Sequence, residues 1–532
     1  MPATYSYPGV YIEEIPSGVR TIASVSTSDT AFVDVFRKGP TDRAVRITSF
    51  ADFARVFGGL DDKSEASYAI KQYYLNGGSV AWVIRVVAND AKAARIPVAL
   101  GADAAAGEAT FTAASKGAWG NNLQIAIQHL TTTRTDATGQ VVTDLFNLAV
   151  REVEKVNGRP RIVASEVYRN LSLDPAHTRF VEDVLAQESA LLRVTGAAKK
   201  GSRPADSTIG DVVAKVGDLT ATFKSVATGD TAGSDGTTPA SITSGLPLLR
   251  QIAPFVFNIL CLPSTANLKM DTAKSVIDAA AAFCIEQRAF YIIDLPSDVT
   301  TDANATGWIS GNNAPARSNY AAIYFPQVEI ADPLQENRPR RVGISGTMAG
   351  VFARTDATRG IWKAPAGTDA TLRGVTLTRK LTDLENGGLN PLGINVLRQF
   401  PIYGNVSWGA RTREGSDAEA SEWKYIPVRR TALFIEESLY QGLKWVVFEP
   451  NDERLWAQIR LNAGAFMHGL YRRGAFQGKS PRDAYLVKCD GDTTTQADIN
   501  LGIVNILVGF APLKPAEFVV LQIQQLAGQL VT

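Results

Sequence analysis

The chain has 532 residues, 45% of them hydrophobic and 20% charged. That length supplies several domains with sizeable cores. A balance of 54 basic against 53 acidic side chains leaves a net charge of +1 and excludes a global basic field for nucleic acid.

Cys261, Cys284 and Cys489 are odd in number and far apart, which argues against a disulfide framework and fits a reducing compartment. The opening stretch MPATYSYPGVYIEE has no basic segment followed by an apolar one, so no secretory signal is expected. No run of about 18 apolar residues suggests a membrane span.

In chain order, PGVYIEEIPSG reads as an extended arm, and residues 19–26 alternate loosely. TAFVDVF (30–36) is nearly all apolar and predicts a buried strand. ITSFADFARVFGG predicts a short helix capped by Ser49 and stopped at Gly58-Gly59, and EASYAIKQYYLNGG a second one. SVAWVIRVV (79–87) predicts a strand, so the order strand–helix–helix–strand points to an α/β core. Between about 100 and 250 the strand candidates EATFTAAS, NLQIAIQHL, DLFNLAVREV and RIVASEVY predict a β-rich unit with one helix near 178–188. VATGDTAGSDGTTPASITSG (226–245) reads as an exposed polar loop.

The α/β pattern returns at APFVFNILCLP (253–263). A helix follows in DTAKSVIDAAAAFCIEQR, capped by Asp271 or Thr272, and then strands in AFYIIDLP and SNYAAIYFP. Ala432, Ile435, Leu439, Leu443 and Val446 lie at helical spacing. So do Trp456, Ile459, Ala463, Phe466 and Leu470, with Asn451 or Asp452 as cap and Arg472 and Arg473 in the last turn. A strand at 484–490, an apolar run at 499–511 and EFVVLQIQQL close the chain; in the last, Val519, Leu521 and Ile523 share one face.

Gly474-Ala-Phe-Gln-Gly478-Lys479-Ser480 nearly spells a phosphate-binding loop. Three residues separate the glycines where four are needed, and the order is helix, stop, loop, strand. Gly474 fits the left-handed stop of the preceding helix, and Pro481 opposes a new one. The histidines His129, His177 and His468 are scattered, GISGT (343–347) lacks the second glycine of a nucleophile elbow, and RPRR (338–341) reads as a solvated basic run. No residue pattern supports an enzyme, and no metal or cofactor is expected.

Several motifs occur together in one order. They are PGVYIEE, NGG followed by AWVIRV, GAWGNNL, AGVFARTDATRGIWKAPAG, LNPLGINVLRQFPIYGNVSWGARTR, RRTALFIEESLYQGLKWVVFEPND, FQGKSPRDAYLVKCD and APLKPAEFVV. In these the chain resembles contractile tail sheath proteins of myophages, tailocins and contractile injection systems, most densely from about 342 to 521. The resemblance implies a multidomain α/β (α+β) fold: an arm at 1–28, a discontinuous core at 29–95 and 251–532, and an outward-facing β-rich insertion at 96–250.

The resemblance further implies a structural subunit that polymerises as stacked hexameric rings around an inner tube and contracts to drive the tube through a target envelope. Its expected partners are other copies of itself, the inner tube protein, and baseplate and terminal cap proteins. No direct nucleic-acid contact is expected, and assembly would take place in the bacterial cytoplasm into a virion tail or tail-like particle. Chain ends that add to a neighbour's sheet are expected at Val19, Thr21, Ile22, Ala23 and Val25, and at Phe518, Val519, Val520, Leu521 and Ile523, with core strands as the alternative for both. The helix carrying Arg429, Arg430, Glu436 and Glu437 as exposed charges is expected to face the tube. Two other readings are a nucleotide-binding enzyme, on GAFQGKS alone, and a static shell or adhesin protein.

Overall fold

The computed structural model describes residues 20–522, apart from 102–106, 133, 136–140, 157, 200, 201, 228, 230 and 238–240. By internal contacts the chain falls into two compact units. One comprises 28–355 and 365–424; the other gathers the described residues up to Thr27, Asp356–Ala364, and those from Tyr425 onward. The span expected as the second core part, 251–532, is therefore divided, and residues 20–27 are part of a folded unit.

The larger unit begins with β1 (Thr30–Asp34), every residue of it buried as its apolar run requires. The edge strand β2 (Val45–Ile47), α1 (Phe50–Phe57) and α2 (Glu65–Asn76) follow, then β3 (Ala81–Arg85). Ser49 accepts from the Asp52 N–H, and Gly58 ends α1 at φ +97°.

The β-rich insertion leaves after β3. It holds β4 (Arg95–Ala99), β5 (Glu108–Ala113), β6 (Leu123–Gln128), a small hairpin of β7 (Arg134–Thr135) and β8 (Val141–Val142), and the long pair β9 (Leu145–Val156) and β10 (Arg159–Ser172). Then come α3 (Val181–Glu188), β11 (Leu192–Val194), α4 (Val212–Lys215) and β12 (Lys224–Ser225). Two sheets, β11-β5-β4 and β10-β9-β6-β12, enclose a core around Phe111, Trp119, Phe146, Leu148, Leu171 and Leu185. Buried Glu152 on β9 accepts from Lys38 at 2.9 Å and from Arg37, fixing the insertion to the loop after β1.

The described part of the stretch read as an exposed loop is a partly exposed loop tied down at several points. Lys92 and Ser234 exchange two backbone hydrogen bonds, the Asp235 carboxylate accepts from the Ala118 N–H, and 242–252 coil into a 3-10 helix burying Leu246, Leu249 and Ile252. Its partners lie over a hundred residues upstream, so local polarity gave no sign of them.

The chain re-enters the main sheet with β13 (Ile259–Cys261), α5 (Met270–Gln287), β14 (Phe290–Ile293), α6 (Asp302–Ser310) and β15 (Ala321–Phe325). The α5 cap is not Asp271 or Thr272: the Met270 N–H donates to Asp298, whose carboxylate reaches in from another loop. Next are β16 (Val328–Asp332), β17 (Arg338–Val342), α7 (Ser345–Arg359), β18 (Thr376–Leu377), α8 (Asp383–Leu389), β19 (Ile394–Phe400) and β20 (Gly404–Ser407). The basic run is thus strand β17. Arg340 stacks over Tyr68 at 4.3 Å and pairs with buried Glu65 at 2.5 Å, because buried carboxylates require a cation.

The main sheet runs β2-β3-β1-β13-β14-β15-β19-β20, parallel between β3 and β19 with an antiparallel strand at each edge. Strand order reverses between β1 and β13, the usual ligand crevice of such sheets. Two buried carboxylates occupy its carboxyl ends. Asp34 accepts from the Ala66 N–H at the start of α2, and Asp294 from the Ser345 N–H and hydroxyl at the start of α7. A Cβ at Gly346 would sit 2.2 Å from the Ala69 carbonyl oxygen, so glycine is what lets α7 approach α2.

Burial pushes the carboxyls of Asp34 and Asp294 up from 3.8 to about 7, against the hydrogen bonds they accept and with Glu65 adding repulsion. The folded chain therefore keeps these protons to about pH 7, whereas the unfolded chain releases them near pH 4. Their contribution to stability is full below about pH 4 and is lost as pH rises through 7. Asp294→Asn retains an acceptor for the Ser345 N–H and should stabilise the protein at pH 8 by on the order of 1–4 kcal/mol. Denaturation at pH 8 and 4.5 checks this; an equal gain at both would contradict it.

Candidate assembly surfaces

The smaller unit is built on α9 (Ile426–Gly442) and α10 (Glu453–Arg472), followed by α11 (Pro481–Ala484), β21 (Tyr485–Lys488), α12 (Gln496–Asn500) and β22 (Leu507–Phe510). Asp452 caps α10, as its spacing predicts, by accepting from the Leu455 N–H. Pro481 starts a helix rather than opposing one. At the first helical position its missing N–H costs nothing, and Ser480 and Asp483 form a capping box.

The near-match to a phosphate loop lies at the wrong end of a helix. Gly474, at φ +78°, ends α10, where the dipole is negative and carbonyls point outward. A Cβ on Gly478, at φ +127°, would stand 3.1 Å from the Ala484 nitrogen, so the second glycine serves packing against α11. Among the described residues no group of His, Cys, Asp and Glu side chains is placed to hold a metal.

Residues 20–27 form no strand. The Arg20 N–H donates to Asn462 at 3.0 Å and the Val25 N–H to Ser438 at 3.2 Å. Ile22 is buried in a cluster with Phe434, Phe466 and Met467, and a Cβ at Gly442 would approach it to 2.5 Å. Thr21 and Ala23 are exposed, Val25 is half-buried, and Val19 lies outside the described residues.

Three of the four charges expected to be exposed on α9 are buried. Arg430 grips Asp356 through both guanidinium ends, at 3.0 and 2.7 Å, and donates to the Thr27 carbonyl at 2.8 Å. Burial pushes the Asp356 carboxyl up while Arg430 pulls it back. Arg429 and Glu437 are also buried, Glu437 accepting from Gln441. Glu436 alone is exposed, 3.5 Å from Arg429. Helical spacing identified the helix, but the partner carboxylate, in the stretch ARTDATRG, is 74 residues away.

The C-terminal stretch is open. β21 and β22 pair antiparallel, Tyr485 with Phe510 through Lys488 with Leu507, and no third strand joins them among the described residues. Beyond, residues 513–522 are in no strand. Phe518, Val519, Val520 and Leu521 are 75–84% exposed, and Ile523 lies outside the described residues.

Comparison with known proteins shows what the chain is similar to. Residues 418–525 match the phage tail sheath C-terminal domain. A prophage major tail sheath protein of Pseudomonas aeruginosa strain UCBPP-PA14 is 25% identical over 250 residues, 46% of this chain and 60% of the relative. The tail sheath protein of Vibrio phage KVP40 is 26% identical over 236 residues, 42% of this chain and 33% of the relative. Residues 418–525 thus carry the sheath C-terminal signature, and the chain as a whole is similar to contractile tail sheath proteins.

The chain thus matches less than two thirds of the length of these curated relatives. Solved sheath structures share its fold more completely. The sheath of an extracellular contractile injection system (PVC) in the contracted state has a TM-score of 0.57 at 20% identity, covering 98% of both chains. The contracted helical sheath of the anti-feeding prophage has a TM-score of 0.55 at 23% identity, covering 98% of this chain and all of that one.

Within the sheath C-terminal domain, Arg430→Ala would leave Asp356 buried and unpaired. Chemical denaturation should show a loss of about 3–5 kcal/mol. Glu436→Ala, at an exposed and loosely paired carboxylate, should change stability by less than about 1 kcal/mol.

Proposed function

We propose that this chain is the subunit of a contractile sheath that stacks as six-membered rings around an inner tube, linked by strand exchange between copies, and that its contraction drives the tube through a target envelope. The observation that carries the reading is the exposed apolar run Phe518–Leu521 in the unit that also holds the two-stranded sheet β21-β22. An unpaired sheet edge is a template for an added strand, and an extended apolar chain is what such an edge accepts. Baseplate, cap and tube proteins would be its other contacts, with assembly in the bacterial cytoplasm. Among the α9 charges, only Glu436 keeps the exposure that contact with a tube requires.

The N-terminal arm of this proposal lies ahead of Arg20, because residues 20–27 are held within their own unit. Deleting residues 1–19, or 518–532, should leave a folded chain that no longer forms striated tubes by electron microscopy. Normal tubes from both deletions would refute strand exchange, and tubes with one unchanging packing would favour a static shell. ATP turnover abolished by Lys479→Ala would favour the nucleotide-enzyme reading instead.

A further inference from the structure

The loop after β1, α1 and the insertion enclose a cavity of about 1030 Å³. Lys38, Arg43, Arg55, Arg95, Lys116 and Arg193 line it, against only two carboxylates, Asp42 and Glu188. One wall is the outer face of the sheet β11-β5-β4. Arg193 is in register with Thr112, and Thr112 with Arg95, so the three side chains form a row on the same face. The alternate residues Ile96, Phe111 and Val194 turn into the insertion core.

The opposite wall supplies Arg43 and Arg55, which pair at 3.6 Å with exposed Asp42 and half-buried Asp52. The Arg193 guanidinium is fixed by the carbonyls of Leu185, Ser189 and Leu192. Burial holds its pKa below the usual arginine range, against the pull of Glu166 and with a smaller contribution from Arg43. Arg193, Arg43 and Arg55 thus line the same cleft. Arg95 and Lys116 are exposed on the same cleft.

We propose that this cleft binds a ligand bearing two or more phosphate groups, laid along the Arg193–Thr112–Arg95 row. The lining argues for phosphate over an acidic peptide. Beside the cations stand the hydroxyls of Thr41, Thr110, Thr112, Ser115 and Thr195, while the large apolar side chains are only Val45, Val56 and Trp119. A peptide needs apolar pockets for its side chains, whereas guanidinium forks and hydroxyls match phosphate oxygens. The same chemistry comes from a soluble polyphosphate or from a diphosphorylated lipid head group.

The test is calorimetric titration of the full chain with tripolyphosphate, inorganic phosphate and poly-glutamate. Tripolyphosphate should bind more tightly than either of the others, and less tightly as salt rises. Arg95→Ala and Lys116→Ala, both at exposed side chains, should each weaken it by on the order of tenfold with an unchanged circular dichroism spectrum. Sedimentation with phosphatidylglycerol vesicles, with and without a diphosphorylated glycolipid, separates the sources. Capture that needs both the glycolipid and Arg95 supports a head group, and tripolyphosphate binding without capture supports a soluble ligand. Absence of tripolyphosphate binding, indifference to both substitutions, or equal binding of poly-glutamate would overturn the proposal.

Discussion

One buried guanidinium determines how the chain closes on itself in the smaller unit. Arg430 cannot lie among apolar residues without a counter-charge, and the counter-charge comes from Asp356 while Nη2 also donates to the Thr27 carbonyl. Three stretches from the beginning, the middle and the end of the sequence are therefore held at one point. Main-chain hydrogen bonds elsewhere in the same segment go to side chains, Asn462 and Ser438, in place of a sheet. Holding the segment this way satisfies two of its N–H groups without using any sheet edge. The unit can thus anchor its incoming chain while β21 and β22 have no third strand among the described residues.

The larger unit shows why a sheet of this type need not handle nucleotides. Its strand order reverses at the position where dinucleotide-binding folds seat their phosphates. Here the nearby helix N-termini are taken by the chain's own carboxylates, Asp34 on α2 and Asp294 on α7. An incoming phosphate would have to displace them and would meet Glu65 as well. The near-match at Gly474 to Ser480 fails for a complementary reason: it follows the negative end of α10. At both places the local charges and dipoles oppose a phosphate group.

What was legible in the sequence was what neighbours in sequence determine. The unbroken apolar run in β1, the strand at β5, the Ser49 and Asp452 caps, and the glycine stops of α1 and α10 all arise within a few residues. What was not legible depends on partners far along the chain. The α5 cap comes from Asp298, the strand character of 338–342 from pairing with β16, and the burial of Arg430 from Asp356. The polar stretch 226–245 contacts the insertion through Lys92 and Ala118. Charged helix positions were the least readable, because a charge looks solvated until its partner is located. Pro481 was misjudged for a local reason: a proline forbids the interior of a helix but suits its first turn.

The exposed run Phe518–Leu521 sets the energetic scale of the proposed linkage. Full burial of each side chain would gain roughly 1.5–3 kcal/mol. Fixing each residue of a free segment costs about 1–2 kcal/mol of backbone entropy. For four residues these are of similar size, so apolar burial alone gives a weak and reversible dock. The surplus must come from pairing the edge N–H and C=O groups of β21 or β22, at about 1 kcal/mol net per hydrogen bond. Such a joint is marginal for two copies meeting once. It becomes secure when each copy both gives and receives a strand and dissociation requires several joints to open together. A tethered strand also bends at its linker without unpairing, so the bodies it connects can change their packing while the joint persists.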